Sequence, residues 1–194
     1  MINTSSLNFV YKVGKFGDND NKSENNLLKV SEVKNLLIFQ ISQYKDSSLD
    51  ISTIRLDGLS FPSSLESTSN LNTRILWIGP NNWLVFSSIL DMIKSEKDQF
   101  NEMDFAITDI SHSRVIIELE GNLVNEVLKK GCPLDINSLK NGDCVNSVYN
   151  GLTITIDIIS DNPKKVRISG LRSFGESLHH SITDACLEFG YKAI

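Results

Sequence analysis

The sequence predicts an α+β fold made of two pseudo-related β-α-β-β-α halves, in which mainly antiparallel sheets carry helices packed on one face. Two observations lead to this class. Short runs of β-branched and apolar residues, each of strand length, recur along the 194 residues. Two hairpin patterns, at about 74–87 and 153–169, are each followed by a capped helical pattern, so a similar order of elements occurs in each half.

Composition predicts a globular chain with a sizeable core, since 40% of the residues are hydrophobic and 22% are charged. We assign a single domain to residues 27–194 and an N-terminal arm with a flexible loop to residues 1–26, because Gly17–Asn26 contains no apolar residue. The net charge of −5 argues against a broad basic surface for nucleic acid or an anionic membrane. With no spanning apolar run and no signal-peptide pattern, a cytoplasmic location is expected.

The arm carries an alternating pattern. Leu7, Phe9, Tyr11 and Val13 alternate with polar residues, which is typical of a short strand or of a segment that binds a partner. An apolar-alternating arm with no core of its own can add a strand to a larger protein. We therefore expect residues 5–14 to be ordered chiefly by contact with another protein chain.

The first half begins with a buried strand at about 35–42, where LLIF is a continuous apolar run. Asp50 can begin a short helical turn in the ambiguous stretch that follows. A hairpin is expected at 74–87 around the turn Pro80-Asn81-Asn82. Ser88 can then cap a helix over about 88–101.

The middle of the chain predicts a strand, a turn, a strand and a short helix. The strands fall within about 105–119, where RVIIEL is β-branched and too short for a good helix. Asn122 is a natural N-cap for a helix over 122–130, and Gly131 is expected to supply a left-handed stop.

The second half predicts a run of strands over about 144–169, with Asn150-Gly151 as a strong hairpin signal. A helix over 173–189 follows, because Ser173 and Glu176 have the spacing of a capping box. Phe174 and Leu178 belong to its apolar stripe and are expected to anchor it in the core.

The residues Asp109, Ser111 and His112 invite a catalytic interpretation, since all three residue types occur within four positions. Neighbours on extended chain point to opposite faces, however, and members of a triad need mutual hydrogen-bond reach. We interpret Asp109 and Ser111 as turn caps and His112 as a residue that packs or hydrogen-bonds in the same turn.

His180 and Asp184 have the i,i+4 spacing of two metal ligands, but no clear third ligand accompanies them. We therefore interpret His179 and His180 as a solvated helix face, with no metal site. The three cysteines lack a Cys-x-x-Cys spacing and are interpreted as buried free thiols: Cys132, Cys144 and Cys186.

The chain also lacks a glycine-rich phosphate loop of either common pattern. A modest basic cluster is interpreted as partner-facing or solvated rather than phosphate-binding. Its members are Lys164, Lys165, Arg167 and Arg172. Trp77 and Trp83, on either side of the first hairpin turn, are expected in the core, although aromatic residues also anchor interfaces.

Five local motifs, in this order and spacing, resemble the gamma subunit of heterotetrameric sarcosine oxidase over about residues 70–190. They are Trp77-Ile78-Gly79-Pro80-Asn81-Asn82-Trp83-Leu84, Thr108-Asp109-Ile110-Ser111-His112-Ser113-Arg114, Gly121 with the helix to Leu128, Lys130-Gly131-Cys132-Pro133-Leu134-Asp135, and Arg172-Ser173-Phe174. The Asp-x-Ser-His turn is more distantly similar to the folate-binding aminomethyltransferases of glycine cleavage. The resemblance implies a fold like their N-terminal, folate-binding portion.

The resemblance also implies a function. The family's complex oxidatively demethylates sarcosine to glycine and passes the one-carbon unit to tetrahydrofolate, using FAD, FMN and NAD held by other subunits. The gamma subunit acts in assembly and carries no catalytic, cofactor-binding or metal-binding residue. The alpha, beta and delta subunits are the expected partners.

Two hypotheses of different class follow. The first is a non-catalytic assembly subunit, for which Phe9, Tyr11, Phe61 and Arg172 are the candidate interface residues, since aromatics and arginines anchor interfaces. The second is a stand-alone folate-binding or aminomethyltransferase-like protein. It needs an acidic residue placed against the pterin and a further barrel-like domain, for which 194 residues are expected to leave no room.

Overall fold

The computed structural model describes residues 4–19, 22–89 and 99–194. Strands in these ranges are numbered in chain order: β1 Gly14–Phe16, β2 Leu28–Glu32, β3 Leu37–Gln43, β4 Arg55–Leu56, β5 Leu59–Ser60, β6 Ser67–Ser69, β7 Thr73–Gly79, β8 Asn82–Ser87, β9 Phe105–Asp109, β10 Arg114–Glu120, β11 Cys144–Tyr149, β12 Leu152–Asp161, β13 Lys164–Leu171 and β14 Tyr191–Ala193. The α-helices are α1 Val124–Lys129 and α2 Gly175–Leu187. Short 3₁₀ segments lie at Glu24–Asn26, Ile51–Thr53, Ile136–Ser138 and Arg172–Phe174.

The chain divides into two compact units. Unit 1 consists of Met1–Lys34, Ser113–Asn141 and Asn146–Ile194, and unit 2 consists of Asn35–His112 and Gly142–Val145. The predicted α+β class with mostly antiparallel sheets is confirmed. The units are interleaved in sequence, however, because the N-terminal residues belong with the C-terminal ones.

Unit 1 is built on a seven-stranded sheet of order β1-β14-β2-β10-β13-β12-β11, in which β14 and β2 run parallel. Its central strands β10, β12 and β13 bury several consecutive residues, and Ile117 of β10 lies opposite Ile168 of β13, for example. Helix α2 buries Leu178 and Ile182. A Cβ at Gly170 of β13 would lie 2.8 Å from Leu178 Cδ2, so the absence of a side chain there lets the helix approach the sheet closely.

The N-terminal arm is part of unit 1, which corrects the prediction that a partner chain orders it. Strand β1 pairs with β14, so the arm supplies an edge strand of the unit's own sheet. Leu7 is fully buried. The Tyr11 hydroxyl lies 2.9 Å from the carbonyl oxygen of Val30 and 2.7 Å from that of Ile194, and donates to one of them at a time.

The polar run after β1 is also held by unit 1 where the structure describes it. The Asp18 amide donates to the Leu187 carbonyl, and Glu24 forms ion pairs with Lys15 and Lys192 at 2.7 and 3.0 Å. Hydrogen bonds from the two lysines, with that from Lys15 as the larger effect and that from Lys192 as the second, lower the pKa of Glu24 to about 2. The described residues of the predicted flexible loop therefore make polar contacts with the rest of unit 1.

Unit 2 contains an antiparallel five-stranded sheet of order β6-β7-β8-β3-β9 and the small hairpin β4-β5. The predicted hairpin around Asn81 is confirmed by the β7–β8 pairing. Asp50 begins the 3₁₀ turn at Ile51–Thr53, as expected, and accepts a hydrogen bond from the Ser52 amide. The core of the unit is aromatic-rich and buries Ile41, Ile54, Leu56, Phe61, Ile75, Trp83, Val85, Phe100 and Phe105.

Helix boundaries differ from the sequence-based expectation. The expected N-cap Asn122 lies outside α1, whose N-cap is Leu123 and has no side-chain hydrogen bond, and Gly131 does not adopt a positive φ. The predicted capping box of Ser173 and Glu176 is also wrong, because a 3₁₀ turn over Arg172–Phe174 makes Phe174 the N-cap of α2, without a side-chain cap hydrogen bond.

That turn rotates Phe174 outward, so its side chain is 48% exposed and the predicted core anchor is wrong, whereas Leu178 is buried as predicted. The helix expected over 88–101 falls largely on residues 90–98, outside the described ranges. It therefore stays a prediction, as does the internal repeat that depends on it. Among the described helices, none has the length and apolarity needed to cross a membrane.

Candidate functional site

Two of the residues that suggested catalysis form hydrogen bonds with each other in the turn after β9. The Asp109 carboxylate accepts hydrogen bonds from the Ser111 amide at 2.9 Å and the Ser111 hydroxyl at 2.6 Å. These two bonds lower the pKa of Asp109. Ser111 Oγ also accepts from the Ile38 amide at 2.9 Å, which fastens the turn to β3, while His112 is exposed. The turn-cap interpretation of Asp109 and Ser111 is confirmed.

The two histidines of α2 have different environments. His180 is exposed, as predicted, but His179 is buried, which corrects the solvated-face interpretation for that residue. The reason is the N-terminal segment: the Tyr11 ring lies 5.5 Å from the His179 ring, centroid to centroid. Burial lowers the pKa of His179, and the negative charge of Glu32 acts in the opposite direction.

An open groove of about 460 Å³ runs between this N-terminal segment and α2, within unit 1. Its lining mixes charged and aromatic side chains, including Lys12, Phe16, Glu176, His180 and Tyr191. Such a mixture suits contact with a polypeptide better than an enclosed small-molecule site, which is mostly apolar. Among the described residues, no group of three or more His, Cys, Asp or Glu side chains could hold a metal ion.

The four predicted interface residues differ in their exposure and in their contacts. Phe9 is 83% exposed, whereas Tyr11 is half-buried against His179. Phe61 is only 9% exposed and meets Trp83 edge-to-face with ring centroids 5.1 Å apart, so its place is the core of unit 2. The prediction of Phe61 as a surface anchor is therefore wrong. The polar, Ser-rich sequence around Phe61 gave no indication that unit 2 buries this side chain.

The fourth, Arg172, lies in the 3₁₀ turn before α2. Its guanidinium donates to the Thr4 carbonyl of the N-terminal segment, and its amide donates to the Ser113 carbonyl at 2.8 Å. Close by, at the start of β10, lies Arg114, which was not singled out as an interface candidate. Its position directly opposite Leu171 follows from the strand register, which sequence patterns alone do not fix.

The predicted basic cluster is largely matched by carboxylates. Lys165 lies 2.6 Å from Glu120, and Arg167 donates to Glu118 at 2.8 Å across the β10–β13 pair. Lys164 likewise pairs with the aspartate three residues before it, at 3.1 Å. The hydrogen bond with Glu120 raises the pKa of Lys165. These pairs offset the positive charge that a phosphate site would need.

The cysteines are buried and free, which confirms their interpretation as structural thiols: Cys132, Cys144 and Cys186. Burial raises the pKa of Cys186 to about 12, so its thiol is a poor nucleophile near neutral pH. Trp83 is in the core, as expected, and donates its indole N–H to the Pro62 carbonyl at 3.1 Å.

Sequence comparisons identify related proteins. The model of the family described as sarcosine oxidase, gamma subunit, matches residues 43–188. The sarcosine oxidase subunit gamma of Corynebacterium sp. (strain U-96) is 26% identical over 140 residues, which cover 68% of this chain and 66% of that protein. The chain thus spans about two thirds of the length of this curated relative.

Two solved structures share the fold. A chain of the heterotetrameric sarcosine oxidase from Corynebacterium sp. U-96, solved in complex with pyrrole 2-carboxylate, superposes with a TM-score of 0.77 at 18% identity, covering 97% of both chains. The glycine cleavage system aminomethyltransferase T from Bartonella henselae gives a TM-score of 0.64 at 10% identity, covering 88% of this chain and 48% of that one.

Proposed function

Because the chain belongs to the sarcosine oxidase gamma subunit family, we propose that it is the gamma subunit of a heterotetrameric sarcosine oxidase. Its role is to assemble and stabilise the complex without catalytic residues of its own. The observation that carries this proposal is the family match over residues 43–188, which takes in both the Asp109 turn and all of α2.

The chemistry of the proposed complex belongs to its other subunits. They oxidatively demethylate sarcosine to glycine with FAD, FMN and NAD, and the one-carbon unit passes to tetrahydrofolate. This chain binds none of these cofactors. Its partners are the alpha, beta and delta subunits, and the complex is cytoplasmic. Three buried cysteines that form no disulfide suit a reducing compartment.

A non-catalytic role is supported by how the candidate catalytic groups are used. Asp109 and Ser111 bond to each other and to the neighbouring strand, which leaves His112 exposed without a nucleophile to activate. The surface features that suit assembly lie elsewhere. They are Phe9, the groove between the N-terminal segment and α2, and Arg172.

A second candidate function, a folate-binding or aminomethyltransferase-like protein, is favoured by the fold shared with the Bartonella henselae aminomethyltransferase. That likeness covers 48% of the aminomethyltransferase at 10% identity and therefore supports the architecture alone. The family match favours the assembly subunit.

Co-purification tests the proposal against this alternative. The chain is tagged, expressed with the alpha, beta and delta subunits of the same organism, purified, and examined by gel and by flavin absorbance. We expect the three other subunits and a flavin spectrum in the complex, and no colour when the chain is purified alone. Purification without partners, together with tetrahydrofolate binding by the isolated chain, would favour the alternative.

A further inference from the structure

The hydrogen bonds of the described residues leave the guanidinium of Arg114 only partly satisfied. Its Nε is buried and lacks a hydrogen-bond partner, and none of the carboxylates in the described ranges pairs with it. Burial lowers the pKa of the group, which nevertheless stays charged near neutral pH. A buried guanidinium nitrogen without a hydrogen-bond partner is costly, since most buried polar groups in folded proteins are paired.

Two exposed apolar side chains lie beside this guanidinium. Leu171 is directly opposite Arg114 in the β10–β13 pair, a position that puts their Cβ atoms about 5 Å apart on one face of the sheet. Phe174 lies three residues further along the chain, at the end of the 3₁₀ turn that begins directly after Leu171. Leu171 is 41% exposed and Phe174 is 48% exposed.

We propose that Arg114, Leu171 and Phe174 form an anchoring surface for another subunit of the complex, which presents an aspartate or glutamate carboxylate to Arg114 and an apolar side chain to Leu171 and Phe174. This inference rests on the proposed function and names the surface through which it is exercised. An arginine beside an aromatic and an aliphatic residue has the composition of an interface hot spot.

Charge complementarity selects the partner. Glu118 and Glu120, the carboxylates that follow Arg114 on the same face of β10, are already paired with Arg167 and Lys165. We therefore expect the carboxylate that pairs with Arg114 to come from another chain. A planar guanidinium matches a carboxylate with two parallel hydrogen bonds, which gives the contact its orientation.

Charge reversal tests the contact within the co-expressed complex. Arg114→Glu is expected to weaken association with the other subunits at least about tenfold, since it places two carboxylates together at the interface. The matched control is Lys45→Glu, the same charge change at an exposed lysine of unit 2. Equal affinity of wild type and Arg114→Glu in salt-matched titrations would overturn the proposal.

A second variant tests the apolar part of the anchoring surface. Phe174→Ser is expected to weaken assembly to a similar extent, while Val148→Ser, at a side chain of 37% exposure on β11, leaves it unchanged. Both side chains are partly exposed, so each substitution is expected to lower the unfolding midpoint of the isolated chain only slightly. Full assembly of Phe174→Ser would remove this residue and its neighbour Leu171 from the interface.

Cross-linking identifies the partner without depending on a disruptive substitution. In the complex of the conservative variant Arg114→Lys, a zero-length carbodiimide reagent is expected to join residue 114 to an aspartate or glutamate of another subunit. A link to a carboxylate of this same chain, a link between two copies of it, or no link at residue 114 would each contradict the assignment.

Failure of this inference is distinguishable from failure of the proposed function. If wild-type chain does not bind the sarcosine oxidase subunits at all, both are overturned. If wild type assembles and the Arg114 and Phe174 variants assemble equally well, the chain is still the gamma subunit and the anchoring surface lies elsewhere.

Discussion

Tyr11 of the N-terminal segment packs against His179 of the last helix, with the ring centroids 5.5 Å apart and the ring planes tilted by 52°. The contact has a consequence for pH dependence. Because burial lowers the pKa of His179, the unfolded chain takes up a proton on this residue at a higher pH than the folded chain does. Stability is therefore complete above the ordinary histidine pKa of about 6.5 and falls as the pH drops below it.

We accordingly expect the free energy of unfolding in urea to be lower at about pH 5.5 than at about pH 7.5. The pKa values of Glu24 and Asp109 are lowered, so these carboxylates lose their contribution only at more acidic pH. His179→Gln should flatten the dependence, whereas His180→Gln, at the exposed neighbour, should keep it. Parallel pH profiles for wild type and His179→Gln would show that the imidazole is not the group responsible.

Leu7 and Phe9 test whether the N-terminal segment belongs to the core of unit 1. Leu7→Ala should lower the free energy of unfolding by about 2–5 kcal/mol, since the side chain is fully buried. Phe9→Ala should change it by no more than about 0.5 kcal/mol, because the ring is 83% exposed. Urea denaturation followed by circular dichroism measures both. A negligible effect of Leu7→Ala would restore the segment to the role of a partner-dependent arm.

Phe61 and Phe174 differ in burial, so their truncation should differ in its effect on stability. Phe61→Ala should cost about 3–5 kcal/mol, because it removes a ring that packs against Trp83 and Phe100. Phe174→Ala should cost about 1 kcal/mol or less, since nearly half of its side chain is already in water. Thermal and urea unfolding of the isolated chain give the two values. The reverse order would place Phe174 in the core and Phe61 at the surface.

Substitutions at Asp109 and His112 distinguish a turn cap from a catalytic group. Asp109→Ala should destabilise the chain by about 1 kcal/mol, since the Ser111 amide and hydroxyl lose their acceptor. His112→Ala should be close to neutral, at about 0.5 kcal/mol or less, because the side chain is exposed. Steady-state turnover of the assembled complex is the second readout. Intact assembly with abolished turnover in His112→Ala would assign a catalytic role to this residue.

The strands that alternate or run continuously apolar were predictable, and so were the two hairpin turns. Asn150-Gly151 joins β11 and β12 as expected, since asparagine and glycine both accept the positive φ that such a turn requires. Strand β2 was missed because it is short and follows a polar run. Its burial depends on pairing with β10 and β14, which are distant in sequence.

The surface was the least predictable part. Phe174 lies on the helical stripe and Phe61 in a polar loop, yet their burial is the reverse of what these patterns indicate. A 3₁₀ turn instead of an α-helical first turn accounts for Phe174, and packing against Trp83 accounts for Phe61. Both depend on tertiary contacts, as does the unpaired state of Arg114.

Native mass spectrometry tests most directly the proposal that this chain is a structural subunit of a sarcosine-oxidising complex. The purified chain is added to a preparation of the alpha, beta and delta subunits, and the mass of the assembly is recorded with its sarcosine-dependent peroxide production. We expect the assembly to gain 21.7 kDa for each copy bound and to retain activity longer on heating. An unchanged mass, or sarcosine-dependent peroxide production by the chain alone, would contradict the claim.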